Sequence, residues 1–271
     1  MRGSQIFFIA VWLALTAAPK LAFAASAAQS CRQAFDTGNF TAAVTFCTEA
    51  IGLNSKDEGS YLDRCGSYEN LGNHRAALAD CTRAIELDPK DARPYNNRCS
   101  AHTNLGDYGA AMADCTRAIE LNPNLPQAWR NRSLVNNSQK KYSDAIPDLT
   151  KAIELNPNYV AALSDRCEDN ELIGQLQAAF ADCNRALQLQ PNYADALGNR
   201  GFAYLKLGQF DSAINDYNAS LKGDPKNASN LYERGIAELR KGDAAAGNTD
   251  IAAAKAIQSD IADEEASKGV K

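Results

Sequence analysis

The feature that most constrains this chain is a repeat with a period of 34 residues. Counted from Glu58 as register 1, register 32 is proline at Pro89, Pro123, Pro157, Pro191 and Pro225. Register 20 is alanine at Ala77, Ala111, Ala145, Ala179 and Ala213, and register 27 is alanine at Ala84, Ala118, Ala152 and Ala186. A fixed period between about 20 and 50 residues marks a stacked-repeat architecture. One such unit cannot bury its own apolar face, so a core forms only between neighbours.

Within the unit the pattern predicts two helices. Tyr61, Cys65 and Tyr68 fall at i, i+4 and i+7, one face of a first helix. Leu71-Gly72-Asn73 breaks it, because glycine takes the positive φ that ends a helix at little cost. Gly106, Gly174, Gly208 and Gly242 stand at the same register. Ala77, Leu78, Cys81, Ala84 and Ile85 then make the apolar stripe of a second helix, and Asp88-Pro89 stops it. The alanines are small enough to let the two helices approach closely. In period, glycine, alanines and proline the chain resembles the tetratricopeptide repeat family over roughly residues 25 to 261. The resemblance implies an all-α, right-handed solenoid of stacked antiparallel helix pairs whose first helices line a concave face. It also implies binding of a protein or peptide in that groove, although a scaffold does not by itself fix a function.

The first 24 residues are of another kind. Arg2 precedes the uncharged apolar run 6–18, and Ala22-Phe23-Ala24 offers small residues at the two positions a signal peptidase reads. This predicts a cleaved secretory signal over 1–24, too short for a comfortable membrane span. Its removal takes away Arg2 and Lys20 and no acid, so the net charge moves from −5 to −7. That balance, with no basic run, argues against nucleic acid as a partner.

The eight cysteines fall in four pairs, each 16 residues apart: Cys31 with Cys47, Cys65 with Cys81, Cys99 with Cys115, and Cys167 with Cys183. All stand at register 8 or 24, and repeats that lack one lack both: Ser133 with Leu149, Gly201 with Tyr217, Gly235 with Ile251. In an antiparallel pair turning near register 15 these two registers face each other. The expectation is four disulfides, each linking the helices of one repeat and closing a loop of about 17 residues, worth on the order of 3 kcal/mol. A thiol oxidoreductase would call for CxxC at a helix start, which the chain lacks. A structural zinc site needs four ligands where each repeat offers two thiols. No metal and no cofactor are expected, and His74 and His102 stand at unrelated registers. A disulfide-rich exported chain fits a periplasmic or secreted location, and the sequons, several of them on helices, favour a bacterial periplasm over a glycosylating pathway.

Taken in order, the repeats are 25–57 (its first helix shortened), 58–91, 92–125, 126–159, 160–193 and 194–227. A degenerate seventh unit with a capping helix follows over 228–265, and a flexible tail over 266–271. One long closing helix is expected over Thr249–Glu265. The fourth repeat is irregular, with Lys140 in place of glycine and Pro147 early in its second helix. A further pairing runs through six repeats. Register 7 is Arg64, Arg98, Arg132, Arg166, Arg200 and Arg234, and register 23 is Asp80, Asp114, Asp148, Asp182, Asp216 and Asp250. Presence and absence together predict interhelical ion pairs.

On the groove that the resemblance implies, register 6 reads Asp63, Asn97, Asn131, Asp165, Asn199 and Glu233. Asparagine both donates and accepts, so a column of them could bond an extended backbone without reading its sequence. This is similar to the asparagine ladder of superhelical tetratricopeptide proteins, with Asn97, Asn131 and Asn199 carrying the likeness. Arg93, Asn96, Arg130 and Asn137 add polar contacts, and Phe202 opens an apolar C-terminal stretch with Leu205, Tyr232, Ile236 and Leu239. No serine, histidine and acid stand at a catalytic spacing, so no enzyme is expected. The expectation is an exported interaction scaffold; the alternative is an assembly subunit acting by self-association.

Overall fold

The computed structural model describes residues 22–270, and the greater part of the predicted signal segment lies outside them. Among the described residues there are fifteen helices and no strand. The first, α1, covers 22–36, so the expected cleavage point falls inside it. Then follow α2 (Phe40–Leu53), α3 (Glu58–Asn70), α4 (His74–Leu87), α5 (Ala92–Asn104), α6 (Tyr108–Leu121) and α7 (Pro126–Ser138). Next come α8 (Tyr142–Leu155), α9 (Val160–Leu172), α10 (Leu176–Leu189), α11 (Ala194–Lys206) and α12 (Phe210–Gly223). The chain closes with α13 (Ala228–Lys241), α14 (Ala244–Ile257) and α15 (Ile261–Ser267). Consecutive helices pack in pairs, and the architecture is an all-α solenoid. The helices group into two compact units that divide after Val135, within the irregular fourth repeat.

The pairs share a plan, seen most fully in the second and third repeats. Asn73 and Asp107 cap α4 and α6 by accepting from the backbone N–H groups of Ala76 and Ala110. Gly72 and Gly106 end the preceding helices at φ +74° and +79°, where a side chain would strain the backbone. In the fourth repeat the same left-handed position is filled by Lys140 at φ 58°. The register-20 and register-27 alanines named above are fully buried, so helix backbones meet across small side chains. Pro147 lies inside α8 without ending it.

The sulfurs of Cys31 and Cys47, of Cys65 and Cys81, of Cys99 and Cys115, and of Cys167 and Cys183 stand at disulfide distance, from 1.94 to 2.06 Å. Each pair bridges the two helices of one repeat: Cys47 comes from α2, Cys115 from α6 and Cys183 from α10. Three pairs lie in the first unit and one in the second. Where the cysteines are missing from a late repeat, a glycine faces a large side chain instead. A Cβ on Gly201 would come within 2.9 Å of the Tyr217 ring, and one on Gly235 within 2.9 Å of Ile251. A covalent link is thus replaced by a ring or an alkyl group packed against bare backbone.

The C-terminus departs from expectation twice. The single closing helix is two, α14 and α15, separated at Gln258–Asp260. Ile261 on α15 is fully buried against Leu221, Leu231 and Ala254. Nor are residues 266–270 loose. Val270 is buried, the carbonyl of Lys268 accepts from Lys206 Nζ, and Lys268 Nζ reaches Glu265 at 2.8 Å. The physical reason is burial: Glu265 is fully buried and needs a cation beside it.

Candidate functional site

The arginine and aspartate registers form the framework on which both candidate sites hang. Arg64, Arg98, Arg166, Arg200 and Arg234 each hold the aspartate 16 residues on through two parallel bonds from Nε and Nη2, at 2.6–2.8 Å. The aspartates are about nine-tenths buried, so the paired geometry is what makes their burial tolerable. The third nitrogen, Nη1, reaches back 16 residues to the preceding repeat, at Thr48, Thr82, Thr150, Asn184 or Asn218. Sequence reasoning missed this last partner, register 25. Its signal was present, since threonine or asparagine stands at each of those positions.

In the first unit the first helices of successive repeats enclose an open cavity of about 170 Å³. Phe35 from α1, Leu62 from α3 and Leu125 ahead of α7 make it apolar, while Arg32, Asp63, Arg93, Asn96 and Asn97 are polar. Gly66 permits this assembly, because a Cβ there would meet the Phe35 ring at 2.8 Å and the Asn97 amide at 3.5 Å. Asp63 is buried and pairs with Arg32 at 2.9 Å. Burial outweighs that pairing and pushes its carboxyl up to about 6. Arg93 grips Asp91 from the exposed rim. The asparagines form a relay: Asn131 Nδ2 donates to Asn96 Oδ1 at 3.0 Å, and Asn96 Nδ2 donates to Asn97 Oδ1 at 3.3 Å.

Four of the ten predicted groove residues, Asp63, Arg93, Asn96 and Asn97, therefore meet in one cavity. Asn131 supports them from behind. In the second unit Asn199 and Phe202 line a different cavity, of about 220 Å³. Asn199 Nδ2 donates to the carbonyl of Ser164, 35 residues back, at 3.0 Å. Phe202 is buried with the Lys206 ammonium 5.0 Å over its ring. The Asn137 amide stands beside Asp169, which is fully buried and whose carboxyl desolvation pushes up to about 8. Arg130 and Asp165 line neither cavity. The amide N–H groups of Asn131 and Asn199 are thus used between repeats, which a one-dimensional column could not reveal.

The second cavity has a character the sequence did not announce. Glu168, Glu171, Asp195 and Glu233 line it with Lys268. Glu171 and Glu233 are only 5% exposed. Burial, and then neighbouring carboxylates, lift both well above the usual carboxylate range. The acids of α9 stand in the sequence as Asp165, Glu168, Asp169 and Glu171, but nothing there tells that Asp169 and Glu171 are buried.

Two sequence profiles match the chain, that of the ETO1 C-terminal domain over residues 72–204 and that of the tetratricopeptide repeat over 194–227. Solved structures agree on the fold. A tetratricopeptide repeat protein from Parabacteroides merdae is similar at 18% identity with a TM-score of 0.65, covering 91% of this chain and 98% of that one. PilW, a type IV pilus biogenesis factor, gives 19%, 0.65, 73% and 92% in the same order. YrrB, described as a tetratricopeptide protein with an unusual peptide-binding site, gives 23%, 0.51, 68% and 96%. No curated protein matches the chain by sequence. The chain belongs to the tetratricopeptide repeat family. No helix among the described residues is long and apolar enough to cross a membrane, and no group of three or more potential metal ligands is assembled there.

Proposed function

We propose that this chain is an exported, non-enzymatic interaction scaffold that holds an extended peptide segment of a partner protein in the cavity of its first unit. One observation carries the reading. The amide relay from Asn131 through Asn96 ends at Asn97, which lines an open cavity with apolar walls and whose Nδ2 donates to no acceptor among the described residues. A backbone carbonyl is the acceptor such a donor suits, and Phe35, Leu62 and Leu125 offer apolar surface to an adjoining side chain. Arg93 at the rim adds charge for an acidic side chain or a chain end. The cysteine pairs at bonding distance support export to an oxidising compartment. YrrB's peptide-binding site lends the reading a precedent on the same fold.

The test is a photo-crosslinking residue placed at Gln127 on the cavity rim and, separately, at the exposed position 86 on α4, in cells expressing the chain. A discrete partner captured at 127 and not at 86, and lost with Arg93→Ala or Asn97→Ala, is the expected result. Equal capture at both positions, or none at 127, would move binding away from the cavity and favour assembly through other surfaces. Periplasmic fractionation with free-thiol counting checks the export part, and free thiols in the native protein would count against it.

A further inference from the structure

The second unit's cavity is short of positive charge. Four carboxyl side chains line it, Glu168 and Asp195 near solvent, Glu171 and Glu233 almost wholly buried, and a fifth, Glu265, lies fully buried on α15. Against them stands one lining cation, Lys268, whose ammonium is committed to Glu265 at 2.8 Å and Glu264 at 3.2 Å. Off the wall stands Lys206, whose ammonium is held by the Lys268 carbonyl and over the Phe202 ring. Glu171 Oε2 is left with no hydrogen-bond partner among the described residues, although it is buried on the cavity wall. A buried carboxylate oxygen without a donor is costly to maintain. The chain already shows what chemistry this pocket accepts, because Lys268 places an alkylammonium beside Glu265, the cluster's most buried member.

We propose that the cavity bounded by α9, α11, α13 and Lys268 is a binding site for a second primary ammonium group, which enters the open space and bonds Glu171. The carboxylates supply acceptors for its three N–H donors, and Phe202 and Leu172 border an aliphatic stem. Two sources carry this group: a lysine side chain of a partner peptide and a free aliphatic diamine. Lys268 acts as the attenuator, since its charge repels the incoming cation and moderates the field of the cluster. The site is separate from the peptide cavity of the first unit and does not depend on it.

The test titrates the full oxidised chain calorimetrically with acetyl-Ala-Lys-Ala-amide, with 1,5-diaminopentane, and with acetyl-Ala-norleucine-Ala-amide, which keeps the aliphatic stem and lacks the ammonium. The lysine peptide or the diamine should bind and the norleucine peptide should not; which of the two binds identifies the source. Glu171→Gln keeps the shape, removes the charge and should weaken binding at least tenfold, with helicity unchanged. Lys268→Met should tighten it at least threefold, while Asn97→Ala should leave it unaltered. Failure of both amines to bind the parent chain would overturn the proposal. So would equal binding of the norleucine peptide, or a Glu171→Gln affinity equal to the parent's. Because Glu171→Gln is read on its own, the outcome stands even if Lys268→Met does not fold.

Discussion

The two units use one repeat and solve the same packing problem by different means. The first holds three cysteine pairs at bonding distance and one strongly perturbed buried acid, Asp63, answered by Arg32. The second holds one pair, Cys167 with Cys183, two glycine-against-bulk substitutes, and a set of buried carboxyls of which Glu265 is paired with the Lys268 ammonium. The contrast teaches that the stacking geometry is set by the alanines and the Arg–Asp pairs shared by both. What sits at registers 8 and 24 is interchangeable, so long as it fills the space between two close helices.

Reduction should break the symmetry most. Each closed loop contributes on the order of 3 kcal/mol, so the first unit loses about three such contributions and the second about one. Amide exchange followed with and without reductant should show protection falling far more over 22–135 than over 136–270. Equal losses would mean that packing, not cross-linking, holds the first unit.

Proton linkage should separate the units next. A carboxyl raised in the folded state keeps its proton there after the unfolded chain has released it, so stability falls as pH rises between the two values. For Asp63 that decline runs from about 4 to about 6 and then ends. For Asp169 it continues to about 8. Denaturant titrations should therefore find the second unit still losing stability between pH 6 and 8 while the first has levelled off. Asp169→Asn should remove much of that slope, on the order of 3 kcal/mol of the decline between pH 6 and 8. An unchanged slope in the variant would assign the effect to Glu171 and Glu233 instead.

The smallest effect concerns the one turn within a repeat, among the described residues, that lacks glycine. Lys140 adopts the left-handed conformation at φ 58° that glycine takes in the equivalent turns. Lys140→Gly should raise stability by about 1 kcal/mol, the cost of a side chain in that region. Thermal melts of the oxidised chain measure it, and a loss would show that the lysine stem makes a compensating contact.

Much of this was legible in the sequence because a repeat reports each contact several times. Arg64 and Asp80 say little alone; the same two residue types 16 apart in six repeats say that they meet. The cysteines are legible for the same reason. Features that occur once were not readable. Glu171, Glu233 and Glu265 come from three different repeats or caps and from three different registers, and although Glu233 belongs to the register-6 column, nothing in that column tells that it meets the other two. The asparagines show an intermediate case. Their column was visible, but the direction of each amide depends on the helix one repeat earlier, where Asn96 and Ser164 supply the acceptors.

The arginine's double reach, 16 residues forward and 16 residues back, has a consequence for how such a chain can grow. Any window of 34 consecutive residues in the regular repeats, wherever it is cut, contains one register-7 arginine, one register-23 aspartate and one register-25 threonine or asparagine. A tandem duplication starting at any position in these regular repeats therefore arrives with matching ends, and the seam is bonded like every other joint. Gene duplication needs no favoured breakpoint to lengthen the array, and an engineer splicing in another copy needs none either.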